Sequence, residues 1–292
     1  MRSAPGDDAL AVLTGGVSVA AAQSDVVGAC VLAVRRACDA TGRRRVILSG
    51  SLHPVTAAAI EAALAPLAIE IECLAPDPLG IEDLAGRTGW DLAALVVQSP
   101  DPFGTLRGFG LAASLCREDG TVPVAVIADP ALLALGGPPD ADLVVVGGHS
   151  PLLGVSLPLG LVYGRAALAE GSGETPVSGA AVETLGAALA NDGLAARARA
   201  ANDAAERIAA RLRRVRGLSL VSGQRFATVA LYLGEDKDAE AMVPCLPRLS
   251  GIEAVPAARL YPGWPELRPL LLLSVTGAID DDAPDRLAAA LA

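Results

Sequence analysis

The chain has 292 residues, of which 52% are hydrophobic and 19% charged, so it can form one large and one smaller domain and is not expected to be disordered. Its net charge of −10 disfavours nucleic acid or an anionic membrane surface as a partner, although the same charge also serves ordinary solubility. The N-terminus has no apolar run after Arg2, so we expect no secretion signal. Five scattered cysteines without a close pair predict reduced thiols and a cytoplasmic location.

Short apolar strands alternate with helices in the first half of the chain. Helices are predicted over 25–42, 53–67 and 106–120. Strands are predicted over 44–50, 68–75, 92–100, 122–130, 141–148 and 158–164. This alternation predicts an α/β fold with a mostly parallel sheet covered by helices on both faces.

The segment from Leu143 to Tyr163 carries no acidic or basic charge, with its histidine neutral, and is long enough to suggest a membrane span. Four glycines and two prolines interrupt it, and such residues break a helix. We therefore expect a strand, a loop and a second strand here, and no membrane partner.

The second half begins with a long helical stretch over 178–217 that is interrupted at Gly193. Beyond it we predict strands at 218–223 and 226–233, a helix at 238–249, strands at 252–257 and 269–277, and a helix at 283–292. The expected domains are a large domain over 1–170, bridging helices over 171–216, and a small α+β domain over 217–292.

Four segments occur in a characteristic order: a His53-Pro54 pair before a helix, Val96–Gly104, Ala128–Ser150 and Tyr261–Leu291. Together they resemble the first subunit of the two-chain glycine dehydrogenase (decarboxylating), the P-protein of the glycine cleavage system. The resemblance implies a pyridoxal phosphate (PLP) enzyme fold of type I, with a PLP-transferase-like large domain and a small C-terminal domain. Relative to that family the chain is expected to be trimmed, without the N-terminal arm and with a shorter segment after Gly164.

The resemblance implies four supports for PLP, of which the first is a small-residue loop before a helix that binds the phosphate. Gly15, Gly16 and Ser18 fall in such a loop, which either binds an anion or simply begins a helix. His53 corresponds to the group that stacks on the pyridine ring. His149 is predicted at the same edge of the sheet, where open α/β sheets bind ligands, although a single histidine there is usually structural.

The third support is an acid that keeps the pyridine nitrogen protonated. The resemblance assigns this part to Asp129, which closes an apolar strand; an aspartate there could equally cap the following turn. The fourth support is a lysine, and the position where fold-type-I enzymes carry it corresponds to Gly148-His149-Ser150, where Ser150 has no amine and cannot form an imine. The one lysine of the chain, Lys237, has acidic neighbours and is expected in a solvated loop. In the two-chain family, the second subunit supplies the lysine.

Two arginines near the end of the chain, Arg259 and Arg268, offer forked donors for a substrate carboxylate, with Arg259 the preferred candidate; either is otherwise a solvated surface residue. The leading hypothesis is therefore the lysine-lacking subunit of a heterodimer or heterotetramer that acts on glycine or a similar small amino acid. PLP would be held by the lysine of a PLP-fold partner.

Two alternatives remain: a non-catalytic structural or regulatory protein that binds no cofactor, and a subunit of a specialised biosynthetic PLP enzyme. An independent enzyme with a cysteine or Ser150 as nucleophile is disfavoured, because no base and acid stand at a recognisable spacing around these residues.

Overall fold

The computed structural model describes residues 19–136, 139–152, 154–165, 168, 179–189, 193–221 and 223–292. The described residues form two compact units. One contains the described residues up to Asp77 together with Ile81–Asp101 and Arg107–Ala195; the other contains Pro78–Gly80, Pro102–Leu106 and Ala196–Ala292. The domain boundaries expected at residues 170 and 216 stay predictions.

The first unit is built on a seven-stranded sheet. Its strands are β1 (Val19–Gln23), β2 (Arg45–Leu48), β3 (Glu70–Cys73), β4 (Leu92–Gln98), β5 (Val122–Ile127), β6 (Leu143–Ser150) and β7 (Val155–Gly164). They lie in the order β1-β7-β6-β5-β4-β2-β3. The five strands from β6 to β3 are parallel, whereas β7 runs antiparallel to both β6 and β1. The expected mostly parallel sheet is confirmed.

Three helices connect the parallel strands: α1 (Val26–Thr41), α2 (Pro54–Leu64) and α3 (Gly110–Glu118). The continuous apolar runs of the inner strands follow from burial on both faces. One face packs Val46, Val96 and Val124 against α1 and α2. The other face packs Leu95 and Val97 with residues of α3. Burial of these aliphatic side chains supplies the main stabilisation of the unit.

Two features of this unit differ from the sequence-based expectation. Val19–Gln23, for which the sequence predicted no strand, forms β1, an edge strand paired with β7. The third helix begins only at Gly110, because residues 106–109 connect it to β4 without helical structure. The predicted end of α1 is confirmed at Gly42, whose φ of 69° is the left-handed conformation that glycine adopts without strain.

The next elements are a short helix α4 (Leu133–Gly136) and two longer helices, α5 (Gly179–Leu189) and α6 (Gly193–Leu212). The sequence predicted helical structure over both, whereas residues 190–192, just before the interruption expected at Gly193, lie outside the described residues. Helix α5 belongs to the first unit, and most of α6 belongs to the second.

The second unit contains a four-stranded antiparallel sheet of β8 (Ser219–Leu220), β9 (Thr228–Tyr232), β10 (Ile252–Pro256) and β11 (Leu270–Val275), in the order β10-β11-β9-β8. Short helices α7 (Ala239–Met242) and α8 (Ala257–Leu260) accompany it, and α9 (Ala283–Leu291) ends the chain. The helix expected over 238–249 is much shorter than predicted, because Pro244 lacks an N–H and the chain turns at that point.

None of the helices that the structure describes is long and apolar enough to cross a membrane. All five cysteines are free, with Cys30, Cys38 and Cys116 buried. The first 18 residues, including Gly15, Gly16 and Ser18, lie outside the described residues.

Candidate functional site

Polar residues gather where the parallel strands of the first unit end. Because parallel strands place their carboxyl ends at one edge of a sheet, residues distant in sequence are adjacent there. The set follows four neighbouring strands and consists of Ser49, Ser51 and His53 after β2, Gln98 at the end of β4, Asp129 after β5, and His149 and Ser150 at the end of β6. This edge is the candidate functional site.

Asp129 and Ser150 are joined by a hydrogen bond in which the Ser150 hydroxyl donates to the Asp129 carboxylate. Ser150 is fully buried, and the Asp129 carboxylate also accepts the backbone N–H of Ala131 at 2.9 Å. Burial raises the pKa of Asp129, while the two hydrogen bonds and the nearby charge of His149 act in the opposite direction. The carboxylate is therefore satisfied by groups of its own chain.

The second contact of Asp129 also makes it the cap of a helical turn, since the accepted N–H belongs to the turn Pro130–Leu132. The sequence left open whether Asp129 is a turn cap or an inherited cofactor acid. The structure shows that it caps the turn, and this capping leaves the second reading untested, because one carboxylate accepts several hydrogen bonds.

His53 lies at the start of α2 and is partly buried. The imidazole Nδ1 accepts the backbone N–H of Val55 at 3.3 Å. The backbone N–H of His53 donates to the side-chain oxygen of Gln98 at 3.0 Å. Burial lowers the pKa of the imidazole. Neutral His53 thus serves as an N-cap, because its unprotonated nitrogen satisfies a free donor of the first helical turn.

His149, by contrast, has an exposed side chain and stands opposite Ser156 in the pairing of β6 with β7. The pairing of β6 with β7 shifts its register between Gly147 and His149. The structure places both histidines at the carboxyl edge, as the sequence predicted, but only His53 is fixed by side-chain contacts among the described residues.

A hydrogen-bond network at this edge was missed by the sequence-based reasoning. The half-buried Glu82 carboxylate accepts the Ser49 hydroxyl at 2.5 Å and the Gly50 N–H at 2.9 Å. The Ser51 hydroxyl lies 2.9 Å from that of Ser49 and accepts the N–H of Gln98 at the same distance. The Ser-Gly-Ser sequence after β2 was a local signal for such a turn, but Glu82 is 33 residues away from Ser49 and gave none.

A buried ion-pair cluster completes the network. Arg107 contacts Asp101 through Nε at 2.7 Å and Asp77 through Nη1 at 3.0 Å, and it also donates to the backbone carbonyl of Asp77. The side chains of Arg107 and Asp101 are 7% and 0% exposed. This cluster fixes the segments that follow β3 and β4, because three charged groups in a dry environment must remain together.

The first helix begins with an acidic cap. Asp25 lies just before α1 and accepts the N–H of Gly28 at 2.7 Å. A helix N-terminus attracts anions through its free N–H groups, but here a carboxylate of the chain already occupies that position. A phosphate at the same place would meet a like charge.

The second unit contains the arginines expected to bind a substrate carboxylate. Arg259 contacts Glu240 with Nε 2.8 Å from Oε2, and Arg268 contacts Asp238 at 2.6 Å. Lys237 lies exposed in the turn beside them. Both guanidinium groups are thus paired with carboxylates of the same unit, and the role of Arg259 in substrate binding stays a prediction.

Comparison with solved structures defines the class. The chain superposes over 98% of its length on glycine decarboxylase (P-protein) of the glycine cleavage system in inhibitor-bound form, with a TM-score of 0.76 and 22% identity, covering 74% of that chain. It also matches the cysteine desulfurase CsdA from Escherichia coli, with a TM-score of 0.72, 15% identity and coverage of 98% of this chain and 82% of that chain. The architecture is that of the fold-type-I PLP-dependent enzymes.

Sequence comparison identifies the family. The chain is 34% identical to the probable glycine dehydrogenase (decarboxylating) subunit 1 of Rhodospirillum rubrum, over 97% of this chain and 72% of that protein. It is 30% identical to the protein of the same name from Rhodospirillum centenum, over 84% of this chain and 64% of that protein. No protein-family model matches the sequence. The chain belongs to the glycine dehydrogenase (decarboxylating) subunit 1 family.

The residues of the described edge do not form a complete PLP site. Asp129 and His53 suit the pyridine ring, since one is a mostly buried acid and the other a partly buried planar group at the same edge. However, the positions where the resemblance implies the lysine, Gly148, His149 and Ser150, carry no amine, and Asp25 supplies a negative charge to the N-terminus of α1. The assignment of these residues to a PLP site stays a prediction.

Proposed function

We propose that this chain is the lysine-lacking subunit of a heteromeric PLP-dependent enzyme that decarboxylates glycine. The observation that supports the proposal is the end of β6, where the resemblance implies the lysine and where the fully buried Ser150 has no amine. The relatives named as subunit 1 support a role beside a second chain.

PLP would be bound by a lysine of the partner, where it acts as an electron sink for a carbanion. This chain would contribute a sheet edge whose polar groups are largely hydrogen-bonded within the chain itself. The contacts of Glu82 with Ser49 and Gly50, and of Arg107 with Asp101, connect the strand-end loops through groups of the chain itself. Such preorganisation suits a surface that completes a pocket formed by another protein.

Exposed apolar side chains support coverage of this region by a partner. Val55 in the first turn of α2 is 67% exposed, and Leu111 in the first turn of α3 is 71% exposed. Ile81, next to Glu82, is 78% exposed. These three residues lie in segments that follow the carboxyl ends of β2, β4 and β3, which favours an interaction surface at this edge.

A cofactor-free scaffold is the second candidate function. The carboxylate of Asp25 at the start of α1 favours it, because that carboxylate disfavours phosphate. Under this hypothesis the chain keeps its fold and its surface for a partner. PLP is then not bound at this edge, either in the chain alone or in its complex with a partner. The same purification separates the two candidates.

The test is native mass spectrometry of the assembly purified from its source cells, followed by glycine-dependent exchange of labelled CO2. We expect a second, lysine-bearing PLP-fold chain with one cofactor per pair, and activity only in the mixture. Replacement of the partner's lysine by alanine should abolish activity and leave assembly intact. Copies of this chain alone without cofactor mass would reject the catalytic proposal, as would stoichiometric PLP on this chain alone.

Two further predictions follow from the proposed role. A cytoplasmic location is expected and is tested by fractionation of the source cells.

If Arg259 binds the substrate carboxylate, Arg259→Gln raises the KM for glycine of the assembled enzyme with little change in kcat, while the matched Arg268→Gln variant does not. Equal KM values for the two variants and the wild type would exclude Arg259 from substrate binding.

A further inference from the structure

A cleft in the second unit is lined by charged and apolar side chains that the proposed subunit role does not use. Its volume is about 470 Å³, which lies in the range of small-molecule sites. Its lining includes two arginines, a carboxylate, a hydroxyl group and two leucines: Arg213, Arg225, Glu206, Ser219, Leu218 and Leu220. We propose that this cleft binds a small organic anion with a phosphate or carboxylate group.

The first element of the site is a fixed cation. The Arg225 side chain is 9% exposed, and its Nη1 lies 3.2 Å from Glu206 Oε1 and 3.3 Å from Oε2. The backbone at Arg225 is anchored by a β-bridge to Thr105. Glu206 contacts only Nη1, so the rest of the guanidinium fork has no side-chain partner among the described residues. A guanidinium has five donors and binds oxyanions with two of them at once.

The second element is an uncompensated cation. Arg213 follows α6, is exposed, and makes no side-chain hydrogen bond or ion pair with a described residue. Arg213 and Arg225 together outweigh the single charge of Glu206. The cleft therefore has a net positive charge, which attracts an oxyanion, and the Ser219 hydroxyl offers a further donor.

The surrounding charge strengthens this attraction. Residues 207–225 contain six arginines and no acidic residue, in a chain with a net charge of −10. Arg207 and Arg211 are paired with Asp281 and Asp285, and Arg225 with Glu206, so the charge that is uncompensated among the described residues belongs to Arg213, Arg214 and Arg216. Positive charge concentrated beside a concave surface raises the local concentration of anions. Leu218 and Leu220 add an apolar wall, which fits a short hydrocarbon portion of the ligand.

Helix polarity gives a competing explanation for some of these arginines. The C-terminal end of α6 carries partial negative charge and favours cations just beyond it. This effect applies to Arg213 and Arg214 alike, but only Arg213 lines the cleft. The pair Arg213→Gln and Arg214→Gln therefore separates ligand binding from helix stabilisation, since both variants remove one charge at neighbouring exposed positions.

The experiment is a calorimetric titration of the full chain with inorganic phosphate and, separately, with acetate, at constant ionic strength. We expect saturable binding of at least one anion, and the preferred anion indicates the group that the natural ligand carries. Arg213→Gln should weaken binding about tenfold or more, because a charge-assisted contact is lost. Arg214→Gln should leave it within about twofold, and Ser219→Ala should weaken it without unfolding the unit.

No saturable binding of either anion would overturn the proposal. Equal effects of Arg213→Gln and Arg214→Gln would also overturn it, because binding would then reflect the overall charge of the surface. The inference does not rest on the proposed subunit role: glycine decarboxylation by the assembled enzyme is a separate readout, and each can fail while the other holds.

Discussion

Ser150 and Asp129 lie at the ends of the neighbouring parallel strands β6 and β5, and the buried hydroxyl of Ser150 donates a hydrogen bond to the Asp129 carboxylate. The sequence suggested separate parts for these residues, one in the place of a lysine and one beside a pyridine nitrogen. Because the two side chains are in contact, they form one interacting pair at the carboxyl edge of the sheet. A substitution at either position therefore changes the environment of the other.

Ser150→Ala should lower the free energy of unfolding by about 1–3 kcal/mol at neutral pH, because a mostly buried carboxylate loses a donor. The folded-state pKa of Asp129 is already raised, so ionised Asp129 lowers stability above that pKa and this cost disappears as the pH falls through it. Without the Ser150 hydroxyl the pKa rises further. The loss in Ser150→Ala should therefore be larger at neutral than at acidic pH, as measured by urea unfolding.

The matched control for this prediction is Ser156→Ala, which removes a hydroxyl from an exposed position on β7. It should change the unfolding free energy by less than about 0.5 kcal/mol at either pH. Asp129→Asn should remove the difference between the two pH values in the Ser150→Ala background. If that difference persists without the carboxylate, the proposed coupling of the two residues is wrong.

His53 gives a pH dependence of the opposite sign. Burial lowers the folded-state pKa of its imidazole, so the unfolded chain binds a proton more readily than the folded chain. The contribution of His53 to the free energy of unfolding is complete above the unfolded pKa of about 6.5, where the imidazole is neutral in both states. It is lost as the pH falls through and below that value. Protonation also removes the acceptor for the Val55 N–H. His53→Asn should retain the cap and flatten this part of the pH profile.

The measurement is thermal unfolding between neutral and mildly acidic pH, with the His53→Asn profile subtracted from that of the wild type. His53→Ala should lower stability by about 0.5–2 kcal/mol even at neutral pH, because the cap is lost. His149→Asn, at an exposed position, should leave the His53 contribution unchanged. A wild-type profile that runs parallel to that of His53→Asn would show that the imidazole does not titrate as described.

The buried cluster of Arg107 with Asp101 and Asp77 should be important for stability. Arg107→Met removes the arginine that pairs with the buried side chain of Asp101, and we expect a loss of about 3–5 kcal/mol in unfolding free energy. The double variant with Asp101→Asn should recover part of this loss, since it removes a buried negative charge together with its arginine. Chemical denaturation of both variants measures the difference.

An exposed ion pair provides the contrast for that cluster. Arg286 on α9 and Asp282 just before that helix are 4.0 Å apart and have largely exposed side chains. Arg286→Gln should change the unfolding free energy by less than about 0.5 kcal/mol. Comparable losses in Arg107→Met and Arg286→Gln would contradict the assignment of the Arg107 cluster as a dry, fixed element.

The inner strands were predictable from sequence because strands buried on both faces are continuous runs of Val, Leu and Ile. The edge strand β1 was not, because Val19–Gln23 contains mostly alanine, which does not favour strands, and its pairing with β7 is a long-range contact. The same distinction holds at the site. Asp129, His53 and Ser150 stand next to strand ends and can be found locally, whereas no local pattern connects Glu82 with Ser49 or Arg107 with Asp77.

Close packing of α1 on β7 gives a final prediction. A Cβ at Gly160 would lie 2.1 Å from the backbone oxygen of Asp25 and 2.7 Å from Cβ of Ala29, so Gly160→Ala forces the start of α1 away from the sheet. We expect a loss of about 1–3 kcal/mol or more, because overpacked contacts with backbone relax only by moving the helix. Gly108→Ala is the matched control, since a Cβ there meets no atom within 4 Å and its φ is not in the left-handed region. Urea unfolding should show a marked loss for the first variant and none for the second. Equal stability of the two variants would mean that α1 and β7 do not approach as closely as described, and the placement of the Asp25 carboxylate at the helix start would then also need revision.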